Sequence, residues 1–356
     1  MTLTLIYCTY LLWFMISCVY SQYKSSGCGK KLPAENGSTK TYYYSNQGYN
    51  RSYIVHIPTN WNQNSASGQP MIIGLHGYTN TAENFQRSFG MNSQADENNY
   101  LAVYLQATYF KDPNGADHIS SWNDGDCGLS PGPEGPTCNP FSVDPVPRPV
   151  ACDDPDGNSC NWCNCLVDDI AAIDLLAQMI EQTYCIDLTR EYILGFSQGG
   201  MLTHSVACEL ADRFAAAAPF HGARHIGFDC EPKDNITMPL FEVWGTKDQE
   251  VPGQTVLSQD GWYYIPVSNV QEKFAVHNGC NLSNGVKHVK TVSDGIESWT
   301  CIGWHQGCTN NASTVSCSWA GTHTYPMRGQ TNFGLSAAWQ FLQNFKRIPP
   351  KSASIK

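Results

Sequence analysis

Apolar residues along this chain fall into short uninterrupted runs and period-two alternations, separated by stretches of helical spacing. From Lys40, Tyr42 and Tyr44 alternate with polar neighbours, and Ser52-Tyr53-Ile54-Val55-His56-Ile57 carries the pattern on, which predicts two early strands. Met71-Ile72-Ile73-Gly74-Leu75-His76 is a continuous apolar run closed by Gly77, as expected of a strand buried on both faces, and Leu101 to Leu105 repeats that signature. Thr81 to Asn98, between them, is compatible with a helix. Asp168 and Asp169 then stand at a helix start, with Ile170, Ile173, Leu175, Met179 and Ile180 at helical spacing. Tyr192-Ile193-Leu194 predicts a short strand, Gly199 to Leu210 a helix, and Ala216 to Phe220 a strand ending at His221. Met238 to Gly245 predicts another strand, Val267 to Val276 a helix, and Gly334 to Phe345 a closing helix. Strands alternating with helices predict an α/β fold, a mainly parallel sheet with helices on both faces.

Residues 122 to 165 interrupt this rhythm with Gly, Pro, Asp and six cysteines, which predicts a long insertion stapled by disulfides. The expected organisation is a secretory leader over 1–21, one catalytic domain over 22–350 carrying that insertion, and a C-terminal tail over 351–356. The leader reading rests on an apolar stretch through Leu11 to Ile16 with no charged side chain before Ser21. No basic stop-transfer cluster follows it directly, so removal rather than stable membrane association is expected, with the mature chain secreted.

Composition agrees with export. The chain has 16 cysteines, two of them in the leader, and the even remainder is expected to be largely paired, as in an oxidising compartment. Glycosylation sequons begin at Asn36, Asn50, Asn235, Asn281 and Asn311. With 356 residues and 42% hydrophobic content a sizeable core is available, and the formal net charge of -10, without a clustered basic patch, excludes nucleic acid as the expected partner.

The chemistry centres on Gly195-Phe196-Ser197-Gln198-Gly199. A G-x-S-x-G pentapeptide alone is a weak signal, but here it follows Glu191 and the predicted strand Tyr192 to Leu194 and precedes a helix, the setting of a nucleophile elbow. A serine hydroxyl needs a base, and the base an orienting acid, in the chain order Ser, acid, His. Asp248 lies just past the strand that ends at Gly245, and His323 lies in the small-residue loop Ala320 to Tyr325, so both are expected at the same rim of the sheet as Ser197. Asp229, Asp234 and Asp260 are alternatives for the acid, and His305 and His288 for the base. The oxyanion is expected on the backbone amides of Gln198 and Tyr78, with the Tyr78 ring as a wall of the acyl pocket. His76 is expected to brace that loop, and His221 to be structural or pocket-lining.

Leu75 to Phe85, Val167-Asp168-Asp169, Gly195 to Gly200, Trp244-Gly245-Thr246-Lys247-Asp248 and Gly321-Thr322-His323-Thr324-Tyr325-Pro326 resemble the family of secreted feruloyl esterases, acetylxylan esterases and extracellular poly(3-hydroxybutyrate) depolymerases. The resemblance implies an α/β-hydrolase fold, the triad Ser197, Asp248 and His323, no metal and no cofactor, and an ester substrate on a plant polysaccharide, feruloyl or acetyl. A polyester substrate is the alternative within the family, a thioesterase or lipase-like activity a further one, and an inactive hydrolase-fold binding protein the alternative of another class. The chain departs from the family in the length of the 122–165 segment and in its cysteines at 301, 308 and 317.

Asp154-Pro155-Asp156-Gly157-Asn158 has part of the spacing of a calcium loop but lacks its later Glu, so a turn is expected there. Cys160, Cys163 and Cys165 are read as disulfide partners. Trp122, Trp162, Trp244, Trp262, Trp304 and Trp319 are candidates to stack on a ring of the substrate, though most are expected in the core.

Overall fold

The computed structural model describes residues 23–111, 118–126, 130–139, 167–233, 236–254, 257–259, 261–291 and 298–347. The predicted leader, the tail, most of the cysteine-rich insertion, the Asp154 turn, the Cys160 cluster and the alternative acids Asp234 and Asp260 lie outside the described residues. The strands of more than two residues are Thr39–Asn46 (β1), Tyr49–His56 (β2), Gln69–Leu75 (β3), Leu101–Leu105 (β4), Thr108–Lys111 (β5), His118–Ser121 (β6), Ile186–Phe196 (β7), Ala216–Phe220 (β8), Leu240–Gly245 (β9), Val286–Thr291 (β10), Ser298–Trp304 (β11) and Thr314–Trp319 (β12).

Ten of these form one sheet in the order β1-β2-β4-β3-β7-β8-β9-β12-β11-β10, while β5 and β6 pair separately. From β4 to β12 every neighbouring pair is parallel; β1 and β2 at one end and β11 and β10 at the other are antiparallel. The apolar runs explain the central strands. Met71, Ile73 and Leu75 enter the hydrophobic cluster on one face, and Ile72 enters the cluster on the other, as the period of two requires.

Helices cover both faces. Helix α1 (Ala82–Phe89) and α2 (Met91–Asn98) lie with Phe85, Phe89 and Met91 against one face. The predicted single helix over 81–98 is thus two, broken at Gly90, whose φ of 94° is left-handed. Helix α3 (Asp169–Thr183), α4 (Gln198–Glu209) and α5 (Val267–His277) place Ile173, Leu202 and Phe274 on the opposite face. The closing helix α6 (Phe333–Leu342) returns to the first face with Leu335 and Trp339.

The Val167-Asp168-Asp169 motif has a structural cause. Asp168 caps α3, its carboxylate accepting from the amide of Ala171 at 2.9 Å. Asp169 is buried, ion-paired with Arg51 of β2, and accepts from the amide of Asn123 at 2.6 Å, so it ties the second strand of the sheet to the start of the insertion. That first stretch is packed rather than loose, with Trp122, Asp124, Asp126 and Thr137 all buried.

Four disulfides join described cysteines: Cys28–Cys185, Cys208–Cys230, Cys280–Cys308 and Cys301–Cys317. The last links β11 to β12 at directly paired positions. The sequon residues Asn36, Asn50, Asn281 and Asn311 are all exposed. Among the described residues no helix is long and apolar enough to cross a membrane.

Candidate active site

Strand β7 runs straight into α4, and the reversal falls on Ser197, with φ 57° and ψ −124°. Such a conformation costs a non-glycine residue about 1–3 kcal/mol and persists only where its surroundings enforce it. Here the Ser197 amide donates to the carbonyl of Phe220 at 2.8 Å, and its carbonyl accepts from Met201 at 3.0 Å. The flanking glycines make the turn possible: a Cβ on Gly195 would lie 2.1 Å from the Gly199 carbonyl oxygen, and one on Gly199 would lie 2.3 Å from that of Leu75. The pentapeptide therefore encodes a close approach of three backbone segments.

Parallel pairing of β9 with β12, which sets Gly245 opposite Trp319, delivers the other two predicted residues. The loops beyond the strands stay zipped together, Thr246 donating to Trp319 at 2.8 Å and Lys247 to Gly321 at 2.9 Å. Asp248 and His323 consequently leave the sheet side by side. His323 Nε2 lies 2.8 Å from Ser197 Oγ, and His323 Nδ1 lies 2.8 Å from Asp248 Oδ2. Tyr325 anchors the His323 loop by packing edge-on against Phe196 and Phe89.

Asp248 is fully engaged. Its Oδ1 accepts from the amides of Glu250 at 3.0 Å and Val251 at 2.9 Å, and its Oδ2 is shared by His323 and, at 2.6 Å, by Nδ1 of His221. Burial would raise its pKa, but the hydrogen bonds from the two histidines outweigh that and hold the carboxyl below its ordinary value. Asp248 is thus a carboxylate with two imidazole donors. Asp229, the alternative acid within the described residues, is instead paired with Lys273 on α5. His305 lines a separate cleft with Asn310 and Phe345.

The loop after β3 abuts the elbow, where a Cβ on Gly77 would lie 3.2 Å from Ser197 Cβ. Thr79 donates its amide to the Ser120 carbonyl at 2.9 Å. His76 is wholly buried behind the loop. Its Nε2 accepts from the amide of Ala107 at 3.1 Å, so Nδ1 carries the proton and donates to the Gly77 carbonyl at 2.7 Å. Burial lowers its pKa to about 4, which keeps the bracing imidazole neutral. The Gln198 side chain, also buried, donates to Ser121 Oγ and the Trp122 carbonyl, both at 2.9 Å, and fixes the strand entering the insertion against α4.

Ser197 and His323 open into a cleft of about 320 Å³. Tyr78, Phe196, Met201, Val251, Trp262 and Tyr264 supply apolar walls, and Glu250 sits on the rim. Of the tryptophans named from sequence, Trp262 lines this cleft. Trp122 and Trp319 are buried, Trp122 donating to the His76 carbonyl at 2.7 Å. Sequence reasoning missed two contributions. Tyr264 carries no motif, and for His221, expected to be structural or pocket-lining, the contact with Asp248 had no signal in the sequence.

No family model matches the chain. Over 325 residues, 90% of each chain, it is 25% identical to feruloyl esterase D of Neurospora crassa. Over 187 residues, 52% of this chain and 62% of that protein, it is 26% identical to a probable feruloyl esterase C of Aspergillus niger. Its fold matches that of an acetyl xylan esterase from Aspergillus awamori with a TM-score of 0.51 at 11% identity, covering 85% of this chain and 99% of that one. The resemblance read from the motifs holds, and the fold is that of an α/β-hydrolase.

Proposed function

We propose that this carboxylic-ester hydrolase uses Ser197 as nucleophile, His323 as general base and Asp248 as the orienting acid, and that it releases an aromatic, feruloyl-type acyl group from a plant cell-wall polysaccharide. The observation that carries the reading is the continuous relay from Ser197 Oγ through His323 to Asp248 Oδ2, with both links at 2.8 Å. In the acylation step Ser197 Oγ attacks the ester carbonyl while His323 Nε2 takes its proton. His323 then returns that proton to the departing sugar alcohol. The amides of Tyr78 and Gln198 bind the negative oxygen of the tetrahedral intermediate. Water repeats the sequence on the acyl-enzyme and frees the acid and Ser197.

The cleft supports the aromatic acyl group over acetyl. Its volume of about 320 Å³ lies within the range of small-molecule sites and far exceeds what a two-carbon acyl group fills. The half-buried ring of Tyr78 is open to a flat substrate ring, and the nearly buried Trp262 and Tyr264 make the wall behind it aromatic. Neither Lys nor Arg is among its described lining residues, and Glu250 is, so a neutral ester is favoured and the carboxylate product is repelled. The four disulfides among the described cysteines support export of the mature chain.

The test measures products from methyl ferulate, acetylated xylan and polyhydroxybutyrate in parallel, with Ser197→Ala as control. Ferulate release at the highest kcat/KM, abolished in the control, is expected. Preference for acetylated xylan or polyester overturns the acyl assignment. Turnover by Ser197→Ala equal to wild type overturns the nucleophile.

A further inference from the structure

The triad reading leaves one buried titratable group at the site without a role. His221 follows β8 and has no exposed side-chain surface, with its Nδ1 2.6 Å from the same Asp248 Oδ2 that His323 contacts. Its other nitrogen is occupied, since Trp319 Nε1 lies 3.2 Å from His221 Nε2. An indole N–H only donates, so Nε2 must be unprotonated and the proton must sit on Nδ1, facing the carboxylate. Burial favours this neutral form. The charged and titratable groups facing the ring are Asp248 from the loop after β9, Glu242 within β9 and His323 from the loop after β12.

We propose that His221 is a positioning residue for acyl transfer: a neutral Nδ1–H donor, locked in that tautomer by Trp319, that fixes the Asp248 carboxylate so that His323 stays aimed at Ser197. The inference rests on the triad reading above. Without His221, Oδ2 keeps a single donor, which comes from the loop carrying His323 and must itself be oriented. With it, the carboxylate is clamped between two backbone amides on Oδ1 and a donor built on the sheet. The clamp also divides the carboxylate's charge between two donors. Removing one leaves more of it for the imidazolium that forms on His323 during reaction.

The backbone offers a discriminating substitution. His221 has φ 50°, in the left-handed region where Asn is among the best tolerated residues. His221→Asn retains an N–H donor at the reach of Nδ1, whereas His221→Ala removes it. The experiment measures kcat and KM for methyl ferulate from pH 4 to 9, with thermal melts, for the full chain as wild type, His221→Asn, His221→Ala, Trp319→Phe and Ser197→Ala. His221→Ala is expected to lose about 100-fold in kcat, the scale of a modest misplacement of catalytic groups, with KM changed less than about threefold. The acid limb of its kcat/KM profile moves to higher pH. His221→Asn recovers most of the lost kcat. Trp319→Phe, which leaves the imidazole but frees its tautomer, shifts the acid limb in the same direction and carries the test should His221→Ala not fold.

A folded His221→Ala with wild-type kcat and pH profile overturns the proposal, as does a His221→Asn no better than Ala, or an unshifted Trp319→Phe. If Ser197→Ala is inactive while the His221 and Trp319 variants behave as wild type, only this inference fails. If Ser197→Ala is as active as wild type, the triad reading itself fails.

Discussion

Asp248→Asn changes one atom and removes the charge, and the geometry leaves the new amide no satisfactory orientation. If its oxygen faces the two imidazoles, its NH2 group meets the amide donors of Glu250 and Val251, which now sit on Oδ1 at 3.0 and 2.9 Å. If instead its NH2 group faces the imidazoles, both must present a lone pair at Nδ1 and carry their proton on Nε2. For His323 that tautomer cannot accept the Ser197 proton. For His221 it sets an N–H against the Trp319 indole N–H. The first orientation leaves buried donors unmet at about 1–3 kcal/mol, so the protein is expected to melt a few degrees lower. The second disables the base. A fall in kcat of about 1,000- to 10,000-fold is expected, the loss typical of a triad with its tautomer reversed, which corresponds to about 4–5.5 kcal/mol in the barrier. Initial rates on saturating methyl ferulate, with near-ultraviolet circular dichroism to establish folding, make the measurement. A folded Asp248→Asn retaining a tenth or more of wild-type kcat refutes the assignment of Asp248.

Three further outcomes follow from other contacts. His76 has its pKa lowered from 6.5 to about 4, so the stability it contributes is complete above pH 6.5 and is lost as pH falls toward 4, because the unfolded chain takes up a proton that the folded one refuses. The unfolding free energy, from denaturant titrations at each pH, is expected to fall more steeply across that window in wild type than in His76→Gln, by up to about 1.4 kcal/mol per pH unit, and parallel curves would count against it. Trp262→Leu reduces the aromatic wall of the cleft, and a KM for methyl ferulate raised about tenfold is expected, equivalent to about 1.4 kcal/mol of lost contact; unchanged KM removes Trp262 from acyl recognition. The Cys28–Cys185 bridge spans a separation of 157 residues against 16 for Cys301–Cys317. Chain-entropy estimates for such loops are about 5 and about 3 kcal/mol, so the double serine variant of the first pair should melt lower, and the reverse order would contradict this account.

The parallel centre of the sheet was legible because strands buried on both faces must be apolar throughout, as Met71 to Leu75 and Leu101 to Leu105 are. The edge hairpin of β10 and β11 was not. Segments such as Ser298-Trp299-Thr300-Cys301 carry mixed polarity and gain their place from pairing with β12 and from the Cys301–Cys317 bridge, neither of which is local information. Strand β7 extends well beyond the predicted Tyr192 to Leu194, since its earlier part mixes a buried aspartate, Asp187, with the partly buried Leu188 to Arg190 and shows no continuous apolar run. At the site, Ser197, Asp248 and His323 stood out because glycines and strand ends mark places where backbones converge. His221 was expected only to be structural or pocket-lining. Its partners Asp248 and Trp319 come from the loop after β9 and the end of β12, and a histidine at the end of an apolar run looks the same whether it fills space or holds a carboxylate.

The zipped loops beyond β9 and β12 carry a consequence for how such a protein diversifies. Hydrogen bonds at Thr246 and Lys247 set the spacing of acid and base from strand to strand, and the amides of Glu250 and Val251 fix the carboxylate, so that spacing is settled within a few residues of β9 and β12. Along that path α5 is committed to the core and Val251, Trp262 and Tyr264 to the cleft, so the edge strand β10 is the part free to vary. Evolution is free to lengthen, shorten or replace it, and an engineer to open the chain within it or insert a foreign binding element, while the acid and base remain in step.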